Sequence, residues 1–152
     1  RVRPVSVTLS IHFLEGHEPR SGATDLPIAL KLYASEQLSI AKNIKVTCLT
    51  LELEGSSSQV RGFGSEGGWF PSEERLDVAQ GRSVFVVSDL LGLEDEPRQG
   101  LRPGNYRLFA KVLCFRVSEA ALARLGVDPG EELEAKDYQW LELRADRQVQ
   151  IS

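Results

Sequence analysis

Gly62, Gly64 and Gly67, in the stretch GFGSEGGWFP, stand at the G-x-G-x-x-G spacing with which some loops cradle a phosphate. That chemistry needs a strand before the glycines and a helix after them, so that backbone N–H groups and the positive helix end face the anion. Here the glycines run into Trp69, Phe70 and Pro71, and Glu66 adds negative charge where a phosphate would lie. The chain also lacks the V-A-I-K, H-R-D and D-F-G companions of a kinase glycine loop. No phosphate site is predicted. Phe63-Gly64-Ser65-Glu66-Gly67 likewise fails the nucleophile pattern G-x-S-x-G at its first position. What the stretch does concentrate is aromatic surface, in Phe63, Trp69 and Phe70. These side chains either tuck under the loop to cover the end of the fold, or stand exposed as an apolar platform for a partner protein or a sugar ring. They are the candidate binding residues.

Other reactive side chains are sparse. Cys48 and Cys114 each fall within an apolar strand pattern, where burial raises a thiol's pKa and dulls its reactivity. A bridge between them would need a bulge between positions 48 and 49, because Cys48 shares parity with Val46 and not with Leu49, Leu51 and Leu53. Two buried free thiols are expected. His12 and His17 lie near Glu15 and Glu18, and Asp89 lies upstream of Glu94, Asp95 and Glu96, but neither group has the spacing of a zinc or calcium site. No metal, cofactor or catalytic residue is predicted.

The elements that must position these residues are strands. From Val5 to Phe13 every odd residue is apolar and every even one polar, the pattern of a strand with one face on a core and one in water. Ile28, Leu30 and Leu32 mark a second strand and Ile44 to Leu53 a third. Leu76 to Ala79 runs through Gln80-Gly81 into Arg82 to Val87, a hairpin or a corner between sheets. Asn105 to Val117 places Tyr106, Leu108, Ala110, Val112 and Cys114 on one face and Phe109, Leu113 and Phe115 on the other, as in a central strand covered on both sides. Tyr138 to Ala145 and Arg147 to Ile151 read as two closing strands. One short helix is predicted near 118–126, with Ser118 as N-cap and Gly126 as a left-handed C-cap.

The 152 residues, 41% of them hydrophobic, suit one domain with one core. No apolar run is long enough to span a bilayer as a helix. The net charge of −4 and the scattered 18 Lys and Arg argue against a nucleic-acid partner. The chain has no methionine, as expected of a segment cut from a longer chain or of a mature form without its leader. Short strands at this spacing, with few helices and no βαβ alternation, predict an all-β fold: an antiparallel two-sheet β-sandwich, immunoglobulin-like, spanning 1–152 as a single domain. The segment from Leu76 to Val112, with Gly81-Arg82-Ser83, Asp89-Leu90 and Leu101-Arg102-Pro103-Gly104-Asn105-Tyr106, resembles the rear half of immunoglobulin-like bacterial modules, the intracellular proteinase-inhibitor family of bacilli among them. That resemblance implies the fold and transfers no functional residue. The function expected is non-catalytic: an interaction module that recognises a protein through edge strands or end loops. The alternatives are a carbohydrate-binding module using loop 62–70 and a proteinase inhibitor.

Overall fold

The computed structural model describes residues 7–55, 59–64, 71, 74–92 and 100–152; for 59–64 and 87–92 only the backbone enters the account. Among these, nine strands and one α-helix follow in the order β1 (Val7–Phe13), β2 (Asp25–Ala34), β3 (Leu38–Ala41), β4 (Lys45–Leu53), β5 (Gln59–Gly64), β6 (Arg75–Val78), β7 (Arg82–Gly92), β8 (Gly104–Val117), α1 (Glu119–Val127) and β9 (Tyr138–Ile151). They form two antiparallel sheets. The smaller has the order β1-β2-β7, and the larger follows β5-β4-β8-β3-β6 with β9 on β8. Both contribute to one hydrophobic core, in which Ile28, Leu30 and Leu32 of β2 join Leu49 and Leu51 of β4 and Leu108 and Val112 of β8.

The period-two reading places its strands correctly where one face is wet. Val7, Leu9 and Ile11 are buried while Thr8 and Ser10 are exposed, and β1 runs in register along β2 from Val7 opposite Ala34 to Phe13 opposite Ile28. Pro27 lies one residue beyond that ladder, where β2 has only β7 beside it, a place at which a strand tolerates a missing N–H. At Gly81, with φ of 76°, the chain leaves β6 in the larger sheet and enters β7 in the smaller, so the Leu76–Val87 segment is a corner and not a hairpin.

Three expectations need correction. The closing segment is one strand: β9 pairs with β8 without interruption from Tyr138 opposite Val117 to Ile151 opposite Gly104. Asp146 sits on the outer face, bonded to Arg107 at 3.0 Å, and the break in the apolar alternation is Arg147, which donates to the Ile11 carbonyl of β1 at 3.0 Å. The helix extends to Val127, and its last N–H-bonded cap is Asp128 in extended conformation, donating to the Arg124 carbonyl at 2.9 Å. Gly126 is therefore inside the helix and is no left-handed cap. The bulge in β4 falls between Val46 and Cys48 instead of after Cys48. Thr47 is the extra residue, its hydroxyl donating to the Lys111 carbonyl at 3.2 Å, and the shift lets Val46 and Leu49 both oppose inward residues of β8. Cys48 is left opposite Lys111 on the outer side.

At its start α1 behaves as read, with Ser118 Oγ accepting from the Ala121 N–H at 3.2 Å and Ala121 fully buried. The return to β9 is pinned by Asp137, whose carboxylate accepts from Arg124 and from the Glu134 N–H, both at 2.8 Å. The Arg124 hydrogen bond, then that N–H, hold the Asp137 carboxyl below its ordinary 3.8. A depressed carboxylate stabilises the fold above the ordinary value and loses that contribution as pH falls through its folded one. Thermal melts between about pH 5 and pH 2 should therefore show Asp137→Asn less stable than wild type at the upper end and converging with it at the lower.

Candidate functional site

Of the three aromatics singled out in the sequence, Phe63 lies in β5 with its backbone opposite Leu49, while Trp69 and Phe70 lie outside the described residues. Gly62 and Gly64 oppose Thr50 and Cys48 in the same ladder, so the first two glycines of G-x-G-x-x-G are strand positions. The α-helix of the described residues begins at Glu119, far along the chain from the glycines. Asp89 belongs to β7, and Glu94, Asp95 and Glu96 lie outside the described residues. Among the described residues no three His, Cys, Asp or Glu side chains are grouped to hold a metal ion, so His12, His17, Glu15 and Glu18 do not converge.

The cysteines are free. Cys114 faces the core and burial pushes its thiol up to about 11, whereas Cys48 is half-buried on the outer side, which amends the expectation of two buried thiols. In the native protein an aromatic disulfide reagent should label Cys48 and spare Cys114, and under denaturing conditions without reductant it should label both. No labelling after denaturation would instead reveal a bridge.

Two exposed aromatic sites emerge from the sheets themselves. On the outer face of β8 and β9, Trp140 is 58% exposed yet rests on Phe115, which is 4% exposed, with ring centroids 4.5 Å apart. Tyr138 meets the same Phe115 edge-on at 6.5 Å. Phe115 and Trp140 are direct cross-strand partners, so the ladder itself sets their approach. Below them runs a ladder of charge: Lys111 and Arg144 both reach Glu142, at 3.4 Å each. The indole is thus a large apolar surface held rigid from beneath and edged with paired charges.

The second site is the outer face of the three-stranded sheet. Register places Ser10, Lys31 and Phe85 side by side across β1, β2 and β7, with His12 and Tyr33 on the same face one step to either side. Phe85 is 56% and Tyr33 41% exposed. The Lys31 ammonium stands 5.3 Å from the Phe85 ring centroid, and the His12 ring meets Phe85 nearly perpendicularly at 5.9 Å. Ser10 Oγ lies 2.8 Å from His12 Nε2. A Ser–His pair suggests a nucleophile and its base, but nucleophilic catalysis also uses a third group to orient the imidazole and donors for an oxyanion. Among the described residues no third group bonds His12, and the pair lies exposed on the sheet face.

Neither site forms a cluster in the sequence, although each leaves a signal there. Trp140 shares strand parity with Glu142 and Arg144, and Phe85 with Ser83, so each is an aromatic on the polar side of an alternating strand. No protein-family model matches the chain, and neither the curated proteins nor the solved structures contain a match to it. Nothing is carried over to it from a relative.

Proposed function

We propose that the chain is a non-catalytic interaction module, an immunoglobulin-like β-sandwich that recognises a protein through its outward-facing sheet surfaces. The observation that carries this reading is Trp140, more than half exposed and stacked on a buried Phe115. Rigid, partly exposed aromatics are the residue type that dominates protein-binding hot spots, because they bury much area while losing little conformational freedom. The topology is supported by the orders β1-β2-β7 and β9-β8-β4, which follow the A-B-E and G-F-C arrangement of immunoglobulin domains. It is also supported by Tyr106 near the start of β8, whose hydroxyl donates to the Arg102 carbonyl four residues upstream at 2.8 Å, as in a tyrosine corner.

The test is affinity capture from an extract of the cells that make the protein, run in parallel with wild type, Trp140→Ala, Phe85→Ala and the control Glu36→Ala, exposed in the turn between β2 and β3. A protein retained by wild type and Glu36→Ala but lost from either aromatic variant supports the reading. A set of captured proteins indifferent to both aromatics overturns it. Retardation in native gels containing soluble polysaccharide would favour the carbohydrate alternative built on Phe63, Trp69 and Phe70, and inhibition of a serine-proteinase panel would favour the inhibitor.

A further inference from the structure

The two aromatic sites differ in electrostatics, and the difference specifies a partner. Around Trp140 every one of these cations has a carboxylate partner, Glu142 being shared by Lys111 and Arg144, and Asp146 being taken by Arg107. On the three-stranded sheet they do not. Neither Lys31 nor Arg147 forms an ion pair with a described carboxylate. Arg147 reaches from β9 to the edge of β1, where it donates to the Ile11 carbonyl at 3.0 Å and lies 4.4 Å from the Phe13 ring centroid. Those contacts fix its position without setting a described carboxylate against its charge. Burial, and then the charges of Lys31 and Arg147, hold His12 below its ordinary 6.5, so the imidazole is neutral near pH 7 and adds hydrogen-bonding capacity without charge. The described acid of this face, Asp25, stands at the far end of β2, six residues from Lys31, so in a chain of net charge −4 the end that bears His12 and Phe85 holds Lys31, with Arg147 at its edge, and no described acid.

Resting on the interaction reading above, we propose that the outer face of β1-β2-β7, bearing His12, Lys31, Tyr33 and Phe85 with Arg147 at its margin, docks an acidic protein segment interspersed with aromatic residues. Carboxylates of the segment pair with Lys31 and Arg147, and its apolar side chains cover Phe85 and Tyr33. Charge complementarity sets the sign of the partner. The sparseness of the charge sets its class, since a polyanion such as a sulfated polysaccharide or nucleic acid is gripped by a dense stripe of cations, and here two cations alternate with aromatic and hydroxyl groups.

A fluorescein-labelled random copolymer of glutamate and tyrosine is the probe, with polyglutamate and heparin as comparisons, read by anisotropy at low salt. Wild type is expected to bind the copolymer more tightly than polyglutamate or heparin. Lys31→Glu and Phe85→Ala should each weaken binding about tenfold, while Lys136→Glu, at an exposed cation on the turn before β9, leaves it unchanged. Circular dichroism of each variant confirms that the fold persists. Failure of the copolymer to bind, equal binding by Lys31→Glu, or tighter binding of heparin or polyglutamate would each overturn the assignment. Because capture of a partner through Trp140 is measured separately, loss of this proposal and loss of the interaction reading are told apart.

Discussion

Replacing Leu108 by alanine is expected to lower the unfolding free energy by about 2–5 kcal/mol, the range for removing a buried leucine side chain and leaving part of its volume empty. Leu108 is 0% exposed and lies on β8 between Leu51 of β4 and Arg147 of β9. The inward residues of β8 and those of β2 belong to one core, so a hole at Leu108 opens beneath both sheets. Its neighbours are held by strand ladders on either side, which limits how far they can relax into the space. Urea titration should show a lower midpoint with an unchanged slope, because the surface exposed on unfolding is nearly the same. Thr8→Ala, on the wet side of β1, should stay within about 0.5 kcal/mol of wild type. A loss below about 1 kcal/mol at Leu108 would contradict an enclosed core.

The fold was legible wherever a strand has one wet face, because burial on one side and water on the other write an alternating pattern into β1 and the inner half of β8. It was illegible where that contrast vanishes. All four residues of β3 are buried, Ser39 by virtue of its 2.6 Å hydrogen bond to Asp77, and Leu38-Ser39-Ile40-Ala41 is too short a run to mark a strand by its alternation. β5 is not marked either, since glycines that break a pattern in sequence still pair through their backbones, as Gly62 and Gly64 do. The bulge at Thr47 illustrates a third limit. Sequence parity showed that β4 must contain an irregularity for both apolar sets to face inward, but only the pairing with β8 fixes which residue is extra. Moving it by two positions decides whether Cys48 points at the core or away from it.

The candidate site was less legible than the fold. Composition draws attention to the aromatic-rich stretch 62–71, of which the described residues retain a strand at 59–64 and Pro71. The aromatics that carry the proposal, Trp140 and Phe85, are each isolated in sequence and become sites through neighbours on other strands: Phe115 in one case, Lys31 and His12 in the other. The charge imbalance behind the acidic-segment proposal is also invisible in one dimension. Lys31 and Arg147 are 116 positions apart and both act on His12 only because β1 lies beside both β2 and the edge of β9.

Gly100→Ala is expected to cost on the order of 3 kcal/mol, from two effects that act together. Gly100 has φ of 65°, a left-handed conformation that a residue with a Cβ adopts at a penalty. A Cβ there would also clash with the Gly22 carbonyl oxygen and carbon, both backbone atoms that no side-chain rotation can move aside. The crowding arises because the two segments are laced together: the Gly22 N–H donates to the Leu101 carbonyl at 2.7 Å, and the Leu101 N–H to the Ala23 carbonyl at 2.8 Å. To admit a methyl group the lacing must open, which would strip those two hydrogen bonds and withdraw Leu101, now 3% exposed, from the core. The loss should therefore be local before it is global. Amide exchange is expected to speed up at Gly22 and Leu101 in Gly100→Ala while the protected amides of β2 and β8 keep their order of exchange. Gly81→Ala offers the contrast, having φ of 76° but nothing within 4 Å of its added Cβ, so it should show the conformational penalty alone, about 1 kcal/mol. Equal losses in the two variants would mean that the lacing at Gly22 yields freely and that φ alone sets the cost.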